Sequence, residues 1–312
     1  MLDPASGVLI SDGGLATELE ARGHDLSDAL WSARLLGDDP AAIEAVHAAY
    51  FQAGADIATT ASYQASFDGF AAHGLSRAES IRLLRRSVEL ARAAREACAE
   101  ERPRWVAASI GPYGAARADG SEYRGRYGRS VAELRAWHRP RMEVLADAGA
   151  DLLALETVPD IDEAEALVDL VTDIGVPAWL SYTIKGTRTR AGQPLTDAFA
   201  VAASSDSIIA VGVNCCAPAY VTAAIEFATG TGKPVVTYPN SGECWDSARH
   251  IWTGPAQFTP EHAHTWVARG ARVIGGCCRV GPAQIARLAI ELRGTPPSGD
   301  RNASAPSNRP SG

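Results

Sequence analysis

Four of the six cysteines in the 312-residue chain stand as two adjacent pairs, Cys215 with Cys216 and Cys277 with Cys278. Neighbouring cysteines rarely bond to each other, because a disulfide demands a particular Cα separation and torsion. Clustered thiols in a cytoplasmic chain point instead to metal binding or catalysis. No CxxC knuckle is present, so a zinc ribbon is not supported. Thiolates bind Zn2+ at about 2.3 Å and favour a tetrahedral, soft-ligand site. Three protein thiolates would leave the fourth position open, as in a catalytic metal site. The charges then select the chemistry. Zinc with three thiolates carries surplus negative charge, so it activates water poorly, yet it can keep a fourth thiol deprotonated. A thiolate at neutral pH is a strong nucleophile without a neighbouring base. The expected reaction is attack by a substrate thiol on a soft electrophile, such as a methyl group on a sulfonium or ammonium centre.

A single cysteine after a strand is more often a packing residue than a ligand. That reading is kept for Cys98, Cys244 and Cys216. Cys215 and the Cys277/Cys278 pair escape it if the fold brings them together. Short apolar runs predict eight strands, at 8–11, 56–60, 105–109, 151–155, 178–182, 208–213, 235–238 and 272–274. Amphipathic helices are predicted at 41–53, 77–99, 131–148, 161–174, 196–204, 220–228, 260–269 and 282–292. Asp39-Pro40, Ser130 and Thr259-Pro260 are start signals. Gly54, Gly149, Gly175 and Gly270 are stop signals. Alternating strands and helices with near-continuous apolar strands indicate an α/β fold, a single (β/α)8 barrel of the TIM type. A doubly wound open sheet is the competing architecture, but no GxGxxG follows the first strand. In a barrel the site lies at the C-terminal ends of the strands. There the sequence places Asp12-Gly13-Gly14, Thr60, Glu156-Thr157, Asn214-Cys215-Cys216 and Cys277-Cys278. Strands six and eight are near neighbours in a closed barrel, so Cys215 and the second pair can converge.

Hydrophobic residues make up 46% of the chain, enough for a large core, and the net charge of −8 comes with no basic block. That argues against nucleic acid or an anionic membrane as partner. No apolar run reaches the roughly 18–20 residues that a membrane helix needs. The start, MLDPASGVLISDGG, has no basic stretch or long apolar segment and is read as cytoplasmic. The barrel is assigned to 1–293. The Pro-, Gly-, Ser- and Asn-rich segment 294–312 is expected to be a disordered tail.

GVNCC at 212–216 and GGCCR at 275–279 resemble the homocysteine S-methyltransferase family. So do SDGGLATELEARG near the start, LWSARLL at 30–36, AGADIATTASYQAS at 53–66, SIGPYGA at 109–115, DGSEYRGRYG at 119–128, HRPR at 138–141, ADLLALETVPD at 150–160 and VVTYPNSGE at 235–243. The likeness spans nearly the whole barrel and stops near residue 293. It implies a Zn2+ site held by Cys215, Cys277 and Cys278, homocysteine as methyl acceptor and methionine as product. Cys216 falls where the family tolerates other residues. Glu156 is similar to the glutamate that binds the homocysteine ammonium, for which a sheltered carboxylate is physically apt. Asp12 matches the acidic residue before the glycine turn. The resemblance also implies that the Gly13 and Thr60 amides receive the substrate carboxylate. Asn214 is placed to orient the thiol loop.

The donor is expected to be a sulfonium, S-methylmethionine before S-adenosylmethionine. YPNSGE and EYRGRY look like the sulfonium-using branch, whereas the betaine-using branch has an aromatic residue where Thr157 stands. Aromatic faces can hold such a cation; Trp31, Tyr63 and Tyr127 are the candidates. No cobalamin-binding DxHxxG element is present. A lyase or aldolase on the same barrel would need a Schiff-base lysine, and only Lys185 and Lys233 exist, Lys185 in a polar Gly-Thr-Arg loop.

Overall fold

The computed structural model describes residues 3–26, 30–98, 102–246 and 251–294. The expected tail from 294 on therefore lies outside the described residues except for Gly294. Eight parallel strands form the barrel: β1 (Leu9–Ile10), β2 (Ile57–Thr59), β3 (Trp105–Ile110), β4 (Leu152–Val158), β5 (Ala178–Tyr182), β6 (Ile208–Asn214), β7 (Val235–Tyr238) and β8 (Ala271–Ile274). Their order around the sheet is β1-β8-β7-β6-β5-β4-β3-β2. A single bridge from Ser11 to Ile57 joins the two ends. The open-sheet alternative is thereby excluded.

Eight main helices pack outside, α1 (Pro40–Gln52), α2 (Arg77–Glu96), α3 (Val131–Asp147), α4 (Ile161–Ile174), α5 (Leu195–Ala200), α6 (Val221–Thr229), α7 (His262–Ala268) and α8 (Pro282–Arg293). Local chemistry fixes their starts. Asp39 accepts from the Ala42 amide before Pro40, and Ser76 and Ser130 make capping boxes with Glu79 and Glu133. The helix expected to open at Pro260 begins at His262. Short elements that the sequence pattern did not signal sit in the loops, among them helices Leu15–Ala21, Phe67–Ala72 and Tyr113–Arg117 and the hairpin of Ile184–Lys185 with Arg188–Thr189. Each is too brief to show a period.

Side chains alternate between two cores. Val106, Leu153, Leu180 and Val211 face the helices, while Ala107, Leu152, Ala154, Trp179, Ala210, Val236 and Val273 fill the lumen. The same alternation, carried one pair further up each strand, turns Thr59, Ser109, Glu156, Ser181, Asn214 and Tyr238 inward at the C-terminal end. Sequence parity thus builds a polar top layer above an apolar plug.

The seam between β1 and β2 is closed differently from the rest. Asp12, 2% exposed, accepts from the Thr59 amide at 2.7 Å and from the Thr59 hydroxyl at 2.9 Å. A carboxylate here does what a strand carbonyl does elsewhere. Asp12→Ala strands the part-buried Thr59 amide, and urea unfolding is expected to show a loss of about 1 kcal/mol.

Candidate metal centre and acceptor site

The three expected thiols meet. The Sγ atoms of Cys215, Cys277 and Cys278 all lie within 4.8 Å of one another, and Cys215 Sγ to Cys278 Sγ is 3.9 Å. That is nearly twice a disulfide bond. It matches the sulfur–sulfur edge of about 3.8 Å that a tetrahedron of 2.3 Å Zn–S bonds requires. Without a metal the three share protons. Hydrogen bonds from Cys277 and Cys278 hold the Cys215 thiol well below the usual range, and the same bonds push those two up. Cys216 points into the main apolar core, where burial pushes its thiol up.

Backbone contacts set the positions of these sulfurs. The loop after β8 lies on the glycine turn after β1: Gly14 N donates to Val280 O at 2.9 Å and Gly276 N to Asp12 O at 3.0 Å. A Cβ at Gly13 would fall 2.1 Å from Val280 O, and one at Gly14 2.6 Å from Cys277 O. The loop after β7 stitches the other side. Asn240 N donates to Cys216 O, Ser241 N to Cys278 O and Cys277 N to Pro239 O, while Asn240 Oδ1 accepts from Cys278 N at 3.1 Å. Cys215 itself has φ 48°, and Thr157 and Arg279 have φ 58° and 66°. Such left-handed non-glycine residues collect at functional sites, where surrounding bonds over-determine them.

Asn214 supplies those bonds for Thr157. Its Oδ1 accepts from Thr157 N at 2.7 Å and from Ser181 Oγ at 2.8 Å, and its Nδ2 donates to Thr157 Oγ1 at 2.8 Å. Wholly buried, it fixes the end of β4 rather than the thiol loop. β4 runs on to Val158, beyond its expected end, through a register shift between Leu155 and Val158. Within that bulge Glu156 reaches the lumen. It accepts from Ser109 Oγ and from the Tyr238 hydroxyl, and burial pushes it up to about 7. Tyr238 is itself fixed by Trp179 Nε1 at 2.9 Å and Ser181 Oγ at 2.8 Å.

Two expected substrate contacts change. The Thr60 amide is already given to Ala107 O at 3.0 Å, so it is not available to a carboxylate. Both Asp12 oxygens are taken by Thr59; burial pushes Asp12 up to about 8. The Gly13 amide has no acceptor among the described residues. Of the aromatic candidates, Tyr63 lies at the mouth beside Cys215 and bonds Thr157. Trp31 opens a 3-10 turn, Trp31–Arg34, but its side chain lies outside the described part. Tyr127 sits one layer back, its ring 5.3 Å from that of Tyr113. The tyrosine that touches the thiols is Tyr123, with its hydroxyl 3.1 Å from Cys215 Sγ.

A buried arginine holds the loops that carry these rings. Arg141 on α3, 1% exposed, donates to Ala65 O at 3.2 Å and to Gly111 O. Gly111 packs directly against the Tyr63 ring. Glu163 on α4, adjacent in charge to Arg141, accepts from Tyr113 N at 2.5 Å and from His138 Nε2 at 2.8 Å. Burial keeps His138 well below the usual imidazole range, hence neutral.

Residues 9–292 match the family model described as homocysteine S-methyltransferase. A homocysteine S-methyltransferase of Escherichia coli K12 is 50% identical over 291 residues, covering 90% of this chain and 94% of its own. The chain belongs to the homocysteine S-methyltransferase family. A crystal structure of the homocysteine methyltransferase from Escherichia coli in a metallated form superposes with a TM-score of 0.82 at 47% identity, covering 91% of this chain and 96% of that one. A selenocysteine Se-methyltransferase of Brassica oleracea is 42% identical over 315 residues, covering 94% and 91%. The chain is therefore a methyltransferase whose family acceptor is homocysteine, with a three-thiol cluster able to bind a metal ion. Among its described residues no helix is long and apolar enough to cross a membrane.

Sequence reading of this methyltransferase missed Tyr123, Ser109, Tyr238 and Asn240. All four lie inside motifs, Tyr123 in EYRGRY, Tyr238 and Asn240 in YPNSGE and Ser109 at the start of SIGPYGA, so motif membership could have flagged them; strand parity adds that Ser109 and Tyr238 face the lumen. Glu156 gives a pH test in the metal-free protein. Its folded value of about 7 exceeds the ordinary 4.5, so the folded chain keeps a proton that the unfolded chain releases. Its contribution is full below pH 4.5 and is lost as pH rises through about 7. Glu156→Gln is expected to flatten that decline by up to about 3 kcal/mol, read from urea midpoints at acid and alkaline pH. An unchanged slope contradicts the buried-acid assignment.

Proposed function

We propose that this methyltransferase transfers a methyl group from a sulfonium donor, S-methylmethionine before S-adenosylmethionine, to homocysteine, with Zn2+ held by Cys215, Cys277 and Cys278. The observation that carries the reading is the 3.9 Å Cys215–Cys278 sulfur spacing within a compact trio of thiols. When bound, zinc supplies the charge that keeps a thiol ligand deprotonated at neutral pH. The chain's own residues do the rest. Glu156, fixed by Ser109 and Tyr238, receives the homocysteine ammonium, and that cation returns the buried carboxyl to its ionised form. Gly13 offers its free amide to the homocysteine carboxylate, a donor that any side chain at that position would displace from the Val280 contact. Tyr123 and Asn240 bond to Cys215 and spread its charge, as partners behind metal ligands do. Tyr63 presents its ring beside the thiols to the positive donor. Similarity to the selenocysteine Se-methyltransferase makes a selenol the second acceptor to test. Betaine is the alternative donor on the same thiols, and Thr157 after Glu156 weighs against it.

The test is a donor panel: homocysteine with S-methylmethionine, S-adenosylmethionine or betaine, with and without chelator. Methionine is expected from the sulfonium donors, lost on chelation and restored by zinc. A metal-free protein of full activity would falsify the mechanism. Glu156→Gln should raise the homocysteine KM by about 10–100-fold while zinc content stays the same. Tyr123→Phe should weaken metal binding by about tenfold in a chelator competition; equal affinity would remove Tyr123 from that role.

A further inference from the structure

The motif DGSEY at 119–123 sets a glutamate and a tyrosine side by side on one rigid turn. Asp119 Oδ1 accepts from Ser121 N at 3.0 Å, Gly120 turns the chain at φ 75°, and one turn of 3-10 helix follows, Ser121–Tyr123. Tyr123 reaches Cys215 from this turn. Arg190 secures it, with Nε donating to Tyr123 O at 3.1 Å and the guanidinium 5.4 Å from the ring centroid. The far end of the loop is tied by Arg126 N to Asp160 Oδ2 at 2.7 Å. Glu122 has no freedom of backbone either, since Gly114 is glycine to admit its amide: a Cβ there would lie 2.5 Å from Glu122 N.

The Glu122 carboxylate is therefore held in place, yet one of its two oxygens is left unmatched. Its Oε2 is buried and has no hydrogen-bond partner among the described residues. Buried carboxylate oxygens normally have partners, and an exception asks for an explanation. Burial pushes the Glu122 carboxyl up, its own backbone amide holds it down, and Cys215 and Asp119, both potential anions, push it up further, with no basic side chain to offset them. It also lies near enough to Tyr63 to disfavour charge on that phenol. So beside the buried Glu156 the site carries a further, half-buried carboxylate, next to Tyr123 in the chain and near enough to Tyr63 and Cys215 to act on both. Such a group repels a thiolate and attracts a cation.

We propose that Glu122 is the anionic contact for the cationic methyl donor, pairing with the positive charge of a sulfonium amino acid seated between Tyr63 and Tyr123. This rests on the sulfonium-donor reading above. It makes Glu156 and Glu122 a divided pair, one carboxylate for the acceptor and one for the donor.

The experiment compares wild type with Glu122→Gln, both zinc-loaded and full length, in steady-state kinetics. The KM for S-methylmethionine is expected to rise about tenfold or more, the worth of one charged hydrogen bond. The homocysteine KM and the zinc content should not move, the thermal midpoint should not fall, and Glu122→Asp should recover part of the loss. Trimethylsulfonium, a sulfonium without an ammonium group, serves as competitor. Weaker inhibition of the variant assigns the pairing to the sulfur charge, and equal inhibition assigns it to the donor ammonium; both uphold the site. An unchanged donor KM, or a rise confined to homocysteine, overturns it. A wild type that uses betaine but not S-methylmethionine sinks the donor reading separately. The same comparison made with betaine, whose methyl groups also sit on a cationic centre, then decides Glu122.

Discussion

Cys277 and Cys278 stand where they do because two stretches of backbone touch with no side chain between them. The turn after β1 and the loop after β8 meet through Gly13, Gly14 and Gly276, with carbonyls of Val280 and Cys277 occupying the space where a methyl group would sit. A metal site tolerates errors of a few tenths of an ångström. Side-chain packing alone rarely holds a loop that firmly, whereas direct amide-to-carbonyl bonds do. The third thiol arrives from β6, and β7 lies between. Its Pro239–Ser241 segment bonds to both cysteine loops, so three successive crossings of the barrel present one rigid rim.

The rim is strained where it is functional. Cys215, Thr157 and Arg279 adopt a backbone region that side chains disfavour. Each is held from two sides. Cys215 N donates to Tyr238 O at 3.2 Å and its carbonyl accepts from Thr183 Oγ1 at 3.1 Å. Asn214 holds both polar ends of Thr157. Arg279 is bound by Thr17 Oγ1 at its amide and by Glu243 at its side chain. The strained bends aim one thiol and one carboxylate inward from β6 and β4, strands separated only by β5. Ser181 and Tyr238, in the same polar layer, brace these bends through Asn214 and Glu156.

The frame of this site was legible because it follows from periodicity. Eight apolar runs gave eight strands, and the barrel rule then placed Asp12, Glu156, Asn214, Cys215 and the second thiol pair at one end. What was not legible depends on neighbours remote in sequence. Asp12 reads as a ligand until the short bridge between β1 and β2, which stops before the Thr59 amide, shows what its oxygens bond. The Thr60 amide reads as free until the extra pairing with Ala107 uses it. Tyr127 and Tyr123 are equivalent letters in EYRGRY; only the 3-10 turn after Gly120 decides which one meets Cys215 and which one packs on Tyr113. Glu122 opens the EYRGRY motif, but its orphaned oxygen is a property of surroundings that the letters do not show.

Arg141 and Glu163 lie on adjacent outer helices, neither lines the mouth, and yet the loops beneath Tyr63 and Tyr113 hang from them. Each charge eases the burial of the other through space, so removing one alone makes the survivor costlier to bury even though its own hydrogen bonds remain. Their histories are therefore joined. Across descendants of this chain the two positions should be retained together or lost together, with no long-lived intermediate, and a lineage that abandons the pair must find another way to hang two loops over its thiols.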